Sequence, residues 1–506
     1  MELALDGLAH DGRGIGRVPA PERPDGRGLT VFVAGGLPGQ RVRCRVLRRK
    51  PRFLEAELVE VLSPGPEEVP PLCPHSRASG DARGCGGCPL QTMPYDRQLQ
   101  WKERLARDAL TRIGGLASGA LDAAWEATLP SPALSGFRNR MTFAFGAGGD
   151  SLVLGQRSRG GADVVPTPDC ALLPPGGREL LAEAQAAAAS SGLPAWRASG
   201  RRGGKASGGR GLWRFLTLRQ GWLPGEATPR WWALCVTSPG GQPARDAVRT
   251  LGERLLGVGG ASRLGGFIHE ERSYDDALAV GERRVLTLDA QGKENPRGAL
   301  LRLPLGGRSF ALDPESFFQV NTGAAELLVR TVLDMAPASG NGLLDLYCGV
   351  GAPGQLVAPR FGAALGLEAD SRAILAAWNN AKEAGLDHCR YLGGDAAMLL
   401  GLLASGKLTG LGWNKTPHWD TALLDPPRAG LAPAALDALL HIAPDHLVYV
   451  SCNPATLARD AARLSAAYTL ERLPAVDLFP HTPHLECCSL WRRKLSAERS
   501  EPRSVH

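Results

Sequence analysis

Residues 447–460, LVYVSCNPATLARD, confine their part of the chain to one local architecture: a buried strand that stops at a turn and gives way to a helix. Leu447, Val448, Tyr449 and Val450 are strand formers in an unbroken apolar run. Asn453 suits a helix N-cap, and Pro454 suits the first helical position, where its missing N–H costs nothing. Cys452 stands at the junction. A thiol beside a helix N-terminus feels positive partial charge, which lowers its pKa and favours thiolate, the nucleophilic form. A small buried hydrophobe is the commoner fate of a lone cysteine, so the turn alone favours that reading.

Three further segments shift the balance. Residues 343–354, LLDLYCGVGAPG, run from an apolar strand into a turn with Gly349, Gly351 and Gly354. Glycine permits positive φ and close approach of a ligand. Asp345 offers a carboxylate near the strand end, and residues 364–368 (ALGLE) form a second short strand ending in an acid, the position that binds ribose hydroxyls in doubly wound sheets. The spacing suits S-adenosylmethionine (SAM) as well as a dinucleotide, but it does not give G-x-G-x-x-G. Residues 422–431, ALLDPPRAGL, end a strand on Asp425 ahead of two stiffening prolines. Arg428 follows where base N-methylases often carry an aromatic residue, which argues against methylation of an exocyclic amine. Residues 478–491, LFPHTPHLECCSLW, set Glu486 among apolar neighbours, where burial would raise its pKa toward that of a useful base. His481 and His484 are rival bases, or structural histidines.

Together with SFFQVN at residues 316–321, these segments closely resemble the RNA uracil-5-methyltransferase family. The resemblance runs from the N-terminus to about residue 494. It implies an α/β fold: a Rossmann-like SAM-dependent methyltransferase domain, an N-terminal OB-like barrel of TRAM type, and a central α+β domain carrying a metal cluster. It implies Cys452 as nucleophile and Glu486 as general base. Gln319, Tyr347, Gly349, Gly351, Glu368, Asp395 and Asp425 fall on positions that line the cofactor or the site. At Ala352 and Pro353 the chain departs from the family pattern, which often has Asn or Thr there. That removes a side-chain hydrogen bond and leaves backbone contacts to hold the cofactor. The implied chemistry needs these residue types. Thiolate addition at uracil C6 makes C5 nucleophilic toward the methyl group of SAM, and a base then removes the C5 proton. Asp425 suits the imide edge of the ring. A base inside a duplex is out of reach, so the substrate is expected in a loop or flipped out.

The chain has 11 cysteines, an odd count, and no disulfide scaffold is expected of it. Cys85-Gly-Gly-Cys88 lets two sulfurs face one metal, with Cys73 upstream in CPH and Cys170 downstream in TPDC. Four thiolates suit a [4Fe–4S] cluster or a structural zinc. The family resemblance favours the cluster, in a structural or RNA-positioning role, because methyl transfer needs no electron. The interval from Cys73 to Cys85 is longer than is usual in the family.

The net charge of +7 is modest, but Arg41, Arg43, Arg45, Arg48, Arg49, Lys50 and Arg52 form a dense run. On a strand, alternation would put several of them on one exposed face, suited to phosphate or simply solvated. No run of 18 apolar residues occurs, and Glu2 and Asp6 stand against a secretory signal, so a cytoplasmic enzyme is expected. The expected organisation is a barrel over 1–62, a proline-rich linker over 63–71, a central domain over 72–118 and 119–325, a catalytic domain over 326–494, and a disordered tail over 495–506. Residues 198–211, rich in Gly and Arg, read as a surface loop touching RNA. Large-subunit (23S) ribosomal RNA is the expected substrate, by analogy with family members that carry both barrel and cluster. A tRNA substrate, a cytosine-5 methyltransferase and a catalytically inactive RNA-binding module are the alternatives. No second cysteine stands in the Asp425-Pro426-Pro427 loop, which favours uracil over cytosine. A monomer with no obligate protein partner is expected.

Overall fold

The computed structural model describes residues 1–19, 28–76, 84–148, 151–158, 161, 163–198, 210–295, 300–408, 410–413 and 417–495. The Gly/Arg-rich stretch expected to touch RNA and the C-terminal tail therefore fall almost wholly outside the described residues. The chain divides into two compact units, Met1–Gln98 with Ala133–Arg302 and Pro480–Pro483, and Leu99–Pro132 with Leu303–Phe479 and His484–His506.

In the first unit, β1 (Glu2–Leu8), β2 (Gly14–Val18), β3 (Leu29–Ala34), β4 (Arg41–Arg49) and β5 (Phe53–Ser63) close into a barrel in the order β1-β2-β3-β5-β4. Alternation aims Leu3, Leu5, Val31, Val33, Val42, Cys44, Leu54 and Ala56 inward. The same alternation exposes Arg41, Arg43 and Arg45, but carboxylates of the neighbouring strands meet them. Arg43 pairs with Glu2 at 2.9 Å and with Glu60, and Arg45 pairs with Glu57. Much of the positive charge read from the sequence is thus neutralised within the barrel.

The rest of this unit is a seven-stranded sheet. Its strands are β6 (Arg140–Gly148), β7 (Ser151–Arg157), β8 (Val164–Pro166), β9 (Trp213–Gly221), β10 (Arg230–Thr237), β11 (Leu264–Glu271) and β12 (Arg283–Asp289), in the order β12-β11-β10-β9-β6-β7-β8. Helices Gly177–Ser190 and Gln242–Leu256 cover it, packing Leu180, Leu181, Val248 and Leu251 against Trp213, Trp231 and Phe267.

The second unit contains a hairpin, β13 (Leu301–Leu305) and β14 (Arg308–Leu312), and an eight-stranded sheet. The sheet comprises β15 (Gly340–Leu346), β16 (Phe361–Glu368), β17 (Cys389–Gly393), β18 (Thr421–Leu424), β19 (His446–Ser451), β20 (Tyr468–Arg472), β21 (Ala475–Val476) and β22 (Glu486–Arg493). Its order is β17-β16-β15-β18-β19-β22-β20, with β21 also paired to β22. The first five strands are parallel, and β22 enters antiparallel. Strand order reverses at β15, and in open α/β sheets the crevice at that switch point, beyond the carboxyl ends, takes the ligand. Helices cover both faces, which is why these strands read as near-continuous apolar runs. Leu344, Leu346, Leu447 and Tyr449 belong to one core, while Leu343, Val448 and Val450 belong to the other.

Residues 99–132 and 303–325 group with this sheet, although the sequence reading assigned them to the central domain. The cause is the amphipathic helix Tyr95–Arg112, which buries Ala106, Ala109 and Leu110 in the core of this sheet. A stripe of Trp101, Leu105, Ala109 and Ile113, four residues apart, drifts around it. Each i+4 step overshoots one turn by about 40°, and Ile113 ends 51% exposed while Leu110 is fully buried. The same helix buries Lys102, whose Nζ donates to Asp477 Oδ1 at 2.7 Å and to the Phe479 carbonyl at 3.0 Å. Asn321 Nδ2 donates to the Leu478 carbonyl at 3.1 Å. Residues 477–479, which precede β22, are thereby pinned from two sides.

Candidate active site

The glycine turn after β15 is built on left-handed backbone. Tyr347 holds φ of 62°, unusual for a non-glycine residue and a mark of strain held at a functional turn, and Gly349 and Gly351 have φ of 54° and 82°. A Cβ at Gly354 would lie 1.9 Å from Asp345 Oδ2, so glycine there is what lets the acid sit beneath the turn. Ala352 and Pro353 open the short helix Ala352–Val357 and line the cavity with carbon.

That cavity, about 60 Å³, lies over β15 and β18. Gln319, Tyr347, Gly349 and Asp425 line it, together with Asp345, Phe318 and Leu328. Its walls are mostly apolar, and Asp345 Oδ2 is buried without a hydrogen-bond partner. Burial, reinforced by Asp425 and Glu368, pushes Asp345 up to about 8, and burial pushes Asp425 up to about 7. An apolar cavity with an unanswered carboxyl group suits a ligand with an apolar body and a cationic centre, as SAM has.

Three sequence-nominated cofactor residues stand outside the cavity lining: Gly351, Glu368 and Asp395. Gly351 is the N-cap of Ala352–Val357. Glu368 accepts from the Gly349 N–H at 3.1 Å and from the N–H groups of Ala369 and Asp370, so it ties the glycine turn to the end of β16. Asp395 caps helix Ala396–Ala404 by accepting from the Met398 N–H at 2.9 Å.

Cys452 occupies the turn between β19 and helix Pro454–Leu464, where Asn453 is the N-cap as expected, accepting from the Ala455 N–H at 3.2 Å. The antiparallel register of β19 and β22 sets Ser451 opposite Cys487. The pairing brings the next residues, Cys452 and Glu486, to the same end of the sheet. Glu486 is 3% exposed, and its pKa is pushed up to about 8 by burial and by Asp425, against the pull of Arg428. The thiol does not follow the sequence expectation. Burial and then Glu486 push Cys452 up to about 11, and Arg428 opposes them only in part. Burial, with the neighbouring carboxyl group adding to it, outweighs the helix terminus, because desolvation disfavours the thiolate itself.

The rival bases differ in their surroundings. His481 is buried with φ of 66°, its Nε2 at 2.9 Å from the Leu134 carbonyl and its backbone N–H on Gln98 Oε1. Those contacts describe a structural histidine. His484 Nδ1 lies 3.2 Å from Arg428 Nη2, and its ring packs edge-on to Phe479. The Arg428 carbonyl accepts from Asn453 Nδ2 and Thr456 Oγ1, which fixes the Pro-Pro-Arg loop to the start of the Cys452 helix.

In the first unit, Cys73, Cys85, Cys88 and Cys170 line one cavity with Gln91 and Arg138. The Cys85 N–H donates to the His75 carbonyl at 2.7 Å, and the Cys73 N–H to Gln91 Oε1 at 2.9 Å. The long interval between Cys73 and Cys85 therefore still returns both to the same wall. Burial, with the other thiols adding to it, raises Cys85, Cys88 (to about 12) and Cys170. A bound metal centre would release Cys85, Cys88 and Cys170 from that conflict. Arg138, half-buried with its Nε buried and unpartnered, supplies positive charge on the same wall. The donor set fits a metal centre of net negative charge.

The chain is similar to known proteins. Residues 301–494 match the family model described as tRNA (Uracil-5-)-methyltransferase, and residues 1–59 match the TRAM domain. A relative from Nitratidesulfovibrio vulgaris (strain Hildenborough), described as an uncharacterized RNA methyltransferase, is 37% identical over 98% of this chain and 96% of its own length. Another from Thermosynechococcus vestitus, described in the same words, is 32% identical over 97% of each chain.

The chain belongs to the RNA uracil-5-methyltransferase family.

The crystal structure of Pyrococcus abyssi tRNA (uracil-54, C5)-methyltransferase in complex with S-adenosyl-L-homocysteine shares the fold of this RNA uracil-5-methyltransferase. The TM-score is 0.66 at 23% identity, over 97% of this chain and 100% of that one. The methyl donor is SAM and the substrate is RNA. No helix among the described residues of the methyltransferase is long and apolar enough to cross a membrane. What sequence reasoning missed is the far wall of this cavity. Leu328, Val329 and Val332 come from helix Thr322–Met335, and Leu305 from β13. The helix's apolar stripe was the only signal, and it is shared by any core helix.

Proposed function

We propose that the enzyme forms 5-methyluridine in a loop of 23S ribosomal RNA through a covalent adduct between Cys452 and uracil C6. The observation that supports the mechanism is the antiparallel pairing of β19 with β22, which brings Cys452 and Glu486, the residues just beyond the last pair, to the same end of the sheet as Asp425. Asp425 hydrogen-bonds the imide edge of the uracil and orients the ring. Cys452 Sγ, as thiolate, adds to C6, and the ring electrons pass to an enolate, making C5 nucleophilic. Gln319, Tyr347, Gly349, Gly351, Glu368 and Asp395 would hold SAM, which would give its methyl group to C5 and leave as S-adenosylhomocysteine. Glu486 then receives the C5 proton, the C5–C6 double bond re-forms, and the Cys452 thiolate leaves. The apolar walls exclude water from these steps.

The test uses radiolabelled methyl-SAM with separate ribosomal RNA and tRNA pools, followed by nucleoside analysis. Label is expected in 5-methyluridine from ribosomal RNA. The description of the matched family and the substrate of the Pyrococcus enzyme favour a second reading, tRNA, and label confined to tRNA would install it. Label in 5-methylcytidine would overturn the base assignment.

The four cysteines are proposed to hold a [4Fe–4S] cluster of structural or RNA-positioning role, with zinc as the alternative. Protein purified without oxygen is expected to contain about four irons and four sulfides per chain. Zinc in their place would replace the cluster by a structural ion.

A further inference from the structure

The SAM cavity holds more acid than cofactor binding alone explains. Asp345 and Asp425 end adjacent parallel strands, and the Asp425 N–H donates to the Leu346 carbonyl at 3.3 Å. Both acids line a cavity walled by Leu305, Phe318, Leu328, Val332, Leu423 and Val450. Asp345 is 5% exposed, and its Oδ2 meets no donor. The charged and titratable groups around it are acidic or neutral: Asp425, Glu368 from the end of β16, Cys348 from the turn, and Cys389 and Tyr391 from β17. Asp425 is faced by Asp345, by Glu486 and Cys488 from β22 and by Cys452. Arg428 acts on Glu486 and Cys452, beyond this pair.

SAM and its product S-adenosylhomocysteine share adenosine, ammonium and carboxylate. They differ by one methyl group and one positive charge. Contacts to the shared parts hold both equally, and only an interaction that senses the sulfonium charge separates them. We propose that Asp345 and Asp425 are the specificity-determining pair that distinguishes the sulfonium cofactor from its neutral thioether product, by giving up a proton to the solvent when the sulfonium enters and taking it back once the methyl group has left. This rests on the reading that the cavity takes the cofactor. In the cofactor-free cavity two carboxyl groups in an apolar wall retain protons, as burial has shifted both toward neutrality. The sulfonium supplies the missing cation, and one carboxyl group ionises against it. After transfer the cation is gone, the carboxylate is again unpaired in a dry wall, and reprotonation leaves the product without that attraction.

The sign follows from linkage. A ligand whose binding releases one proton binds about tenfold tighter for each unit rise in pH, up to the pKa of the free site. Titration calorimetry of the full chain with SAM and with S-adenosylhomocysteine, in buffers of different ionisation enthalpy, measures the released protons directly. Between about pH 6 and pH 7.5, release approaching one proton is expected for SAM and close to none for the product. The preference for SAM should therefore widen by up to about tenfold per pH unit. Asp345→Asn should cut the release and flatten the slope while still binding the product, and Asp425→Asn serves as the second variant. Equal proton release by both ligands would overturn the proposal while leaving the cavity as the cofactor site. Failure of the folded wild-type protein to bind either ligand would overturn both.

Discussion

Alanine at position 452 is expected to end methyl transfer, lowering turnover on the order of 10⁴-fold or more, the scale of losing a covalent nucleophile. Cys452 is half-buried at the end of β19, and removal of its sulfur leaves the turn intact because Asn453 and Pro454 still start the helix. Cys452→Ser, which keeps the shape, should be nearly as inactive, since an alkoxide is far less accessible than a thiolate. RNA carrying 5-fluorouracil gives a direct readout. Fluorine cannot leave as a proton, so the wild-type enzyme should stop as a denaturant-resistant protein–RNA adduct, absent from both variants. Full methylation by Cys452→Ala would dispose of the covalent mechanism. The pH profile carries the same signature. Both working groups act deprotonated, and Glu486 lies near 8 with Cys452 near 11. Activity should therefore climb from about pH 6 to about pH 11, most steeply below about pH 8, and fall away as protons return.

Glu486→Gln is expected to separate methyl transfer from release. The amide keeps the shape of the carboxyl group but cannot accept the C5 proton. Turnover should drop by about 10² to 10⁴-fold, and the methylated RNA should remain attached to Cys452, seen as label in a protein–RNA band. An unchanged turnover would remove Glu486 from this role and leave His484 beside Arg428 as the next candidate, since the contacts of His481 are those of a structural residue. The variant also has a stability signature of defined sign. The folded pKa of Glu486 is raised from 4.5 to about 8. The folded protein binds that proton more tightly than the unfolded chain, so this contribution is full below the unfolded pKa and is lost as pH rises through the folded value. Glutamine stays neutral throughout. Thermal unfolding should therefore show Glu486→Gln gaining on the wild type as pH rises from about 5 to about 8.5.

Local features of the chain announced most of the parts. The apolar runs, the Asn453 cap, the Gly349 and Gly351 turn and the acids at the strand ends are each encoded within a few residues, so periodicity and turn chemistry reveal them. The four cysteines were legible as a candidate set from their spacing, and the fold brings all four to one cavity.

Relations between distant segments were another matter. Glu486 meets Cys452 because β22 enters the sheet antiparallel beside β19, a pairing no local pattern specifies. Arg43 and Arg45 lose much of their charge to Glu2, Glu57 and Glu60 through barrel closure. The sign of the Cys452 shift was read wrongly from its helix terminus, because burial and a facing carboxyl group arrive only with the tertiary fold. By itself, then, the sequence determined the family, the strand–turn–helix frame and the reactive side chains. The tertiary structure decided which of them face one another and which hold protons, because desolvation and charge coupling depend on three-dimensional neighbours rather than on position along the chain.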